Sequence, residues 1–158
     1  MRMISDVPLG AFLSGGIDSS TIVGMMQRHS SRPVRTFSIG FKEKKYNEAT
    51  YAAAIADYLG TAHEELYVTP TECLDVVDKL PAIYDEPFAD ISQIPTYLVS
   101  AMAREHVTVA LTGDGGDETF GGYKHYAEGL AQWQRLRGIP LPLRRAAASG
   151  LTGLSEAA

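Results

Sequence analysis

Apolar positions along this chain fall into short compact runs that alternate with helical stripes. Leu9 to Leu13 is apolar, with Gly10 to Leu13 reading as a short buried strand, and the run stops at Ser14-Gly15-Gly16. A helix-like stretch begins at Asp18 and continues from Thr21 to His29, carrying Ile22, Val23 and Met26 on one side; Ser30 to Pro33 end it. Between Val34 and Phe41, the residues Phe37, Ile39 and Phe41 recur at period two, which predicts a strand. Lys42 to Lys45 reads as a charged loop. Ala52, Ile55, Ala56 and Leu59 follow the i, i+3, i+4, i+7 rule of a helix face, and Gly60 stands where a left-handed residue would end it. Glu64 to Val68 predicts a short strand closed by Thr69-Pro70, and Leu74, Val77 and Leu80 predict one helix broken or kinked at Pro81. Ile94, Tyr97, Leu98, Ala101 and Met102 give the cleanest amphipathic helix, and Val107 to Leu111 a compact strand. Beyond Tyr123 the pattern weakens. Ala127 to Arg137 predicts a helix carrying Trp133, Gly138 to Pro142 a break, and Leu143 to Ala158 a tail of small residues.

Strands separated by helices imply right-handed crossovers, hence an α/β fold with a parallel sheet and helices on both faces. In such sheets ligands gather outside the carboxyl ends of the strands. Two glycine-rich loops each follow a strand directly, Ser14-Gly15-Gly16 and Thr112 to Asp117, so both are expected on that edge.

Composition narrows the class. The chain has 158 residues, 45% of them hydrophobic and 21% charged, which suits a soluble globular domain with a real core. A formal charge of -5 argues against nonspecific nucleic-acid binding, which depends on positive charge. The single cysteine, Cys73, rules out an internal disulfide and thiolate-built metal sites, and a small buried side chain in a helix is its expected role. No apolar run approaches the ~18 residues of a membrane span, and the first six residues are too polar for a signal peptide, so the expected location is cytoplasmic, without membrane partners.

The first loop has the physics of an anion trap. Glycines let backbone N–H groups approach closely, Ser14, Ser19 and Ser20 offer hydroxyls, and the helix N-terminus adds roughly half a positive charge. It is no ordinary P-loop, because the required lysine is missing. It carries Asp18 instead, and a carboxylate beside phosphate makes sense if it holds Mg²⁺. A plain strand-to-helix turn with Asp18 or Ser19 as N-cap is the competing explanation. The second loop, Thr112 to Tyr123, packs three carboxylates and five glycines into twelve positions. It fails as an EF-hand because Gly116 follows Asp114 at a ligand position, and it fails as a dinucleotide fingerprint because Glu118 occupies the third glycine position. Taken together, Asp18 from one loop and Asp117 from the other are expected to share a Mg²⁺ on a triphosphate. Neutralising the phosphates favours attack at the α-phosphorus with pyrophosphate as leaving group, which is nucleotidyl transfer.

Ser14-Gly-Gly-Ile-Asp-Ser19 together with Thr112-Gly-Asp-Gly-Gly-Asp-Glu-Thr-Phe-Gly-Gly-Tyr123 resembles the synthetase domain of glutamine-hydrolysing asparagine synthetases. Between them Asp6 to Leu13, Phe37 to Phe41, Leu59 to His63 and Asp85 to Asp90 are similar to the family's intervening segments, in order, so the likeness covers about residues 4 to 126. The first loop alone is shared with the wider ATP-pyrophosphatase group; the second loop and Asp85 to Asp90 narrow it. The resemblance implies an adenine nucleotide alpha hydrolase-like fold, with a nucleotide-binding core over 1–126 and the start of an incomplete helical extension over 127–158. It implies ATP and Mg²⁺, and activation of a carboxylate substrate, aspartate in this family, as β-aspartyl-AMP before ammonia forms asparagine. On that likeness Leu13, Ile39, Thr112 and Gly113 contact the adenosine part of ATP, and Ser14, Gly15, Gly16, Asp18, Ser19 and Ser20 hold pyrophosphate. Asp18 and Asp117 bind Mg²⁺, and Asp114 takes the acidic position linked to acyl-adenylate formation, with a shorter side chain than the glutamate of some relatives.

Other positions stay open between two roles. Asp85, Glu86, Asp90 and Ser92 line an acceptor pocket or form a capped loop, and Glu48 follows Asn47 as a helix N-cap. His63 and His125 are expected to make ordinary polar contacts, Arg135, Arg137, Arg144 and Arg145 to form a solvated helical face, and Tyr123 to pack against the second loop. Relatives begin with a glutaminase domain bearing an N-terminal cysteine, whereas Arg2 follows Met1 here, so the ammonia source is expected outside this chain. They also carry a downstream catalytic lysine, and no lysine follows Lys124, so the resemblance implies a fragment with impaired turnover. A β-lactam synthetase or lasso-peptide cyclase relative, or an ATP-binding remnant without turnover, are the alternatives, and a homo-oligomer is compatible with each.

Overall fold

A computed structural model describes residues 3–42, 47–86 and 89–155 of the chain. Residues 43–45 of the expected charged loop lie outside the described residues, as do Pro87 and Phe88. Four strands, β1 (Leu9–Phe12), β2 (Arg35–Phe41), β3 (Ala62–Val68) and β4 (Val109–Leu111), pair in parallel in the order β3-β2-β1-β4. Helix α1 (Ile17–Arg28) connects β1 to β2, and α2 (Ala49–Leu59) connects β2 to β3. Helices α3 (Pro70–Val77), α4 (Leu80–Ile83) and α5 (Gln93–Arg104) fill the crossover to β4. These elements make one compact unit ending at Asp114; a second unit begins at Gly115 and holds α6 (Gly116–Phe120), α7 (Lys124–Leu136) and α8 (Leu141–Ser155). Among the described residues no helix is long and apolar enough to cross a membrane.

Alternation along β1 explains why both sheet faces are covered. Ala11 and Leu13 turn into a cluster with Val23 and Met26 of α1, Val34, and Ala52 and Ala56 of α2. Phe12 turns the other way, joining Phe37 and Ile39 of β2 against Val99, Met102 and Ala103 of α5 and the following Val107. The expected α/β architecture, a parallel sheet with helices on both faces, is the one observed. Strands buried on both sides read as near-continuous apolar runs, which is why β1 was recognisable from so few residues.

Details of the helices depart from the periodicity, each for a local reason. The helix expected over Leu74 to Leu80 is two helices. Thr69 and Glu72 form a reciprocal capping box that starts α3 at Pro70, and Pro81 sits in the first turn of α4, where its missing N–H costs nothing. Leu74 and Val77 are exposed, and Val76 is the buried residue of α3. In α5 the deeply buried stripe is Val99, Ala103 and then Val107, at i, i+4 and i+8, whereas Ala101 faces solvent. Val107 is therefore no strand residue: its N–H still bonds Ala103 C=O at 2.8 Å, and β4 starts two residues later than expected. At the far end, α8 replaces the expected tail of small residues. Pro142 sits in its first turn and alanines follow, a strong helix-forming combination. Cys73 lies on α3 and is only half-buried.

One polar cluster sits inside. On the α2 side of the sheet, Thr36 and Ser38 of β2 face His63 of β3. Thr36 Oγ1 lies 2.8 Å from His63 Nδ1 and 3.0 Å from Thr61 Oγ1, and Ser38 Oγ lies 3.2 Å from His63 Nε2. These bonds satisfy a side chain only 10% exposed. Burial pushes the His63 pKa below its ordinary 6.5, an effect that the neighbouring Glu65 carboxylate partly opposes. The unfolded chain therefore takes up a proton at this site more readily than the folded one. Stability from His63 is fully present above pH 6.5 and declines as pH falls through that value toward the lower folded pKa. Denaturant titrations at pH 7.5 and about 5.5 check this: His63→Gln is expected to flatten the loss of stability that the unmodified chain shows over that interval.

Candidate nucleotide site at the sheet switch point

The strand order fixes where a ligand would sit. From β1 the chain moves outward through β2 to β3, then returns to the opposite side of β1 for β4. The reversal leaves a crevice at the carboxyl ends of β1 and β4, the usual ligand position in open α/β sheets. The two glycine-rich loops leave the sheet there, Leu13 to Gly16 from β1 and Thr112 to Asp114 from β4.

The first loop is rigid for reasons visible in its contacts. Leu13 continues the ladder, donating its N–H to Phe37 C=O at 2.9 Å, and its side chain is buried. Gly15 then adopts φ 82°, and a Cβ there would come within 2.7 Å of Tyr51 Cβ and 2.9 Å of Ala52 N, so the loop rests on the first turn of α2. Only glycine fits both conditions. Ser14 Oγ accepts from Gly16 N–H at 3.3 Å and lies 3.0 Å from Ser19 Oγ, which itself accepts from Ser14 N–H at 3.3 Å. Ser19 Oγ donates back to Gly16 C=O at 3.3 Å. The Ser19 hydroxyl thus braces the loop from within.

Helix α1 begins at Ile17 with Gly16 as N-cap, and no side chain caps it. The competing explanation in which Asp18 or Ser19 serves as cap is therefore not what the chain does. Asp18 occupies the first turn, half-buried. Ser20 Oγ is buried and has no hydrogen-bond partner among the described residues, an unusual state for a hydroxyl. An uncapped helix N-terminus beside an unsatisfied hydroxyl fits an anionic ligand such as phosphate.

The second loop closes on the first through backbone. A Cβ on Gly113 would lie 2.7 Å from Ser19 N, 3.0 Å from Asp18 C and 3.1 Å from Asp18 Cβ, so the loop after β4 packs directly on the first turn of α1. Thr112 Oγ1 accepts from Asp114 N–H at 3.2 Å, which turns the chain just beyond that contact, and Asp114 is exposed. Leu13, Ser14, Gly15, Gly16, Asp18, Ser19, Ser20, Thr112 and Gly113 thus form one local assembly, with Ile39 half-buried on the neighbouring β2. Asp117 belongs to the second unit, on α6, where its carboxylate abuts Gly122.

Other candidates resolve locally. Asp90 Oδ1 accepts from Ser92 N–H at 2.7 Å, a capped turn that holds its carboxyl pKa below the usual aspartate range. Glu48 stands at the N-cap of α2 but makes no side-chain cap; Asn47 Oδ1 takes the bond from Ala49 N–H at 3.2 Å. Arg144 lies over the Trp133 ring, its guanidinium carbon 5.2 Å from the centroid, so this arginine packs rather than standing free in a solvated face. The contact of Gly15 with Tyr51 and Ala52, and that of Gly113 with Ser19, went unseen in the sequence. The glycines themselves were the available signal; their partners lie dozens of residues away.

Comparison with known proteins places the chain in a family. Residues 1–156 match the family model described as Asparagine synthase. Over 154 residues the chain is 48% identical to “Putative asparagine synthetase (glutamine-hydrolyzing) 2” of Methanocaldococcus jannaschii, covering 92% of this chain and 30% of that protein. Asparagine synthetase (glutamine-hydrolyzing) 1 of Bacillus subtilis is 44% identical over 132 residues, covering 83% of this chain and 21% of the relative. The chain thus spans less than a third of the length of these relatives.

The backbone contact can be tested by adding a methyl group. Gly113→Ala forces a Cβ against Ser19 N and is expected to lower unfolding free energy by roughly 1–3 kcal/mol, as overpacking does. Gly24→Ala in the middle of α1, where a Cβ meets only Leu59 Cδ2 at 3.9 Å, is expected to stabilise by roughly 0.5–1 kcal/mol. Equal responses of the two variants in urea titrations would refute the close approach.

Proposed function

The chain belongs to the asparagine synthase family, and from that premise we propose that it is the nucleotide-binding part of an ATP-dependent amide-forming ligase. The observation that carries the proposal is the backbone contact of Gly113 on the first turn of α1, at the switch point of the sheet. In this reading the uncapped N-terminus of α1, the glycine loop and the Ser20 hydroxyl bind the pyrophosphate portion of ATP. Leu13, Ile39, Thr112 and Gly113 border the adenosine, mainly with backbone and apolar groups. A carboxylate substrate, aspartate by the family likeness, attacks the α-phosphorus, the bond to pyrophosphate breaks, and an acyl-adenylate forms. Ammonia then attacks the acyl carbon, AMP leaves, and an amide results with loss of a proton. In the full-length relatives' pattern that ammonia comes from a glutaminase domain.

Asp18 and Asp117 are the residues that would hold Mg²⁺. Bound there, the ion would supply charge neutralisation on the phosphates and on the departing pyrophosphate. Among the described residues no group of three or more His, Cys, Asp or Glu side chains forms a metal cage. Two carboxylates with substrate phosphates is the arrangement Mg²⁺ usually takes. Asp114, exposed at the rim of the second loop, is proposed to act at the acyl-adenylate step.

Exchange of labelled pyrophosphate into ATP, run with a panel of carboxylates, tests the reaction: aspartate-dependent exchange supports this reading, and exchange driven only by another carboxylate assigns a different acceptor. Calorimetry of Mg-ATP binding tests the site. Asp18→Asn and Asp117→Asn are each expected to weaken magnesium-dependent binding by at least about tenfold, and unchanged binding in either refutes the shared ion. Ser20→Ala gives a separate signature. Removing an unpaired buried hydroxyl should leave the ligand-free protein as stable or more stable, while ATP affinity falls by roughly tenfold.

A further inference from the structure

Asp117 stands on a helix too short to hold its own shape. α6 has five residues and is bounded by two glycines in left-handed backbone, Gly115 at φ 85° and Gly121 at φ 70°. A single helical turn fixes several residues for one or two hydrogen bonds and is unstable in water on its own. The glycines widen the disordered alternative further. Contacts within the second unit offset this. Thr119 returns to Gly115 C=O twice, through its N–H at 3.0 Å and its hydroxyl at 2.7 Å. Gly122 donates its N–H to Asp117 C=O at 3.0 Å and lies so close to the Asp117 carboxylate that a Cβ would not fit.

A further tie crosses the Gly121-Gly122 pair. Tyr123 Oη donates to Glu118 Oε1 at 2.6 Å, five residues back. Its ring stacks on His125 with centroids 5.0 Å apart and meets Tyr126 edge-on at 5.6 Å, while His125 meets Tyr126 at 4.6 Å. His125 and Tyr126 lie in the first turn of α7, so the phenol joins the carboxylate-bearing turn to a thirteen-residue helix. At 2.6 Å the bond has the short O–H···O length typical of a hydroxyl donating to a carboxylate.

We infer that Tyr123 is a positioning residue: through Glu118 it closes the two-glycine hinge and sets the place of the Asp117 carboxylate for a divalent cation. The metal role rests on the proposal above that Asp117 binds Mg²⁺; the tie itself does not. Without the phenol the turn samples open arrangements, and apparent cation affinity falls by the fraction of time it is competent.

Two measurements separate these levels. Tyr123→Phe keeps the ring stack and deletes only the hydroxyl. In the chain without nucleotide, amide exchange at Gly122 is expected to quicken several-fold in this variant, reporting a loosened turn; exchange at the unmodified rate overturns the tie. In ATP binding, the Mg²⁺ concentration at half-saturation is expected to rise roughly three- to tenfold, with ATP affinity recovered at saturating Mg²⁺. A merely structural loss would lower affinity at every Mg²⁺ concentration, and that result overturns the positioning role. Glu118→Ala should reproduce the effect, and the double variant should be no worse than either single one, whereas additive losses overturn the coupling. If the unmodified chain binds ATP without any response to Mg²⁺, the metal reading of Asp117 fails, and the exchange result alone decides whether the tie exists.

Discussion

The site depends on the contact of Gly113 with the first turn of α1, a place where two stretches of backbone meet with no side chain between them. Parallel pairing sets the height of the contact. Ala11 of β1 lies opposite Leu111 of β4, so the two strands end level and their loops emerge side by side. With the nearest approach at 2.7 Å from a would-be Cβ, any side chain at 113 pushes the second loop away from Asp18 and Ser19. Close approach of main chain to main chain of this kind needs a residue without a Cβ.

The first loop is braced from the side as well. Gly15 leans on the first turn of α2, and the fully buried residues of α2 are all alanines, Ala49, Ala52 and Ala56, which lets the helix lie close to the sheet. Gly40 of β2 shows how near that approach is: a Cβ there would come 3.0 Å from Ala49 Cβ and 2.7 Å from the Tyr67 ring. Beneath the same helix lie Thr36, Ser38 and His63, a polar layer that satisfies itself through its own hydrogen bonds. The apolar clusters of the sheet are thus interrupted by a hydrogen-bonded patch on the side that supports the loop. Polar layers of this kind specify one packing arrangement because a shifted helix would leave buried donors and acceptors unpaired.

The second unit uses a different strategy. Its carboxylate turn is short and glycine-bounded, and it is held by hydrogen bonds and stacked rings rather than by an apolar core. Much of α7 is apolar and exposed, including Leu130 and Trp133, though the Arg144 guanidinium lies over that indole.

Local patterns in the sequence determined the strands, the parallel sheet and the identity of both loops. Leu9 to Leu13 and Phe37 to Phe41 are legible because a strand buried on both faces leaves few alternatives, and Ser14-Gly15-Gly16 and Gly113 announce positions where a Cβ is excluded. Tertiary structure decided the rest. Val76, rather than Leu74 and Val77, is the buried residue of α3, since the partner's position and not the helix's own period selects the face. The start of α3 came from a capping box, and Val107, at the start of the 107–111 run, is tied back to the end of α5 by its hydrogen bond to Ala103 C=O. Tyr51 under Gly15, Ser19 beneath Gly113 and a Ser20 hydroxyl with no partner among the described residues leave no mark in the chain. Contacts between residues far apart in sequence leave no periodic trace; only the crossing of the strands brings them to one place.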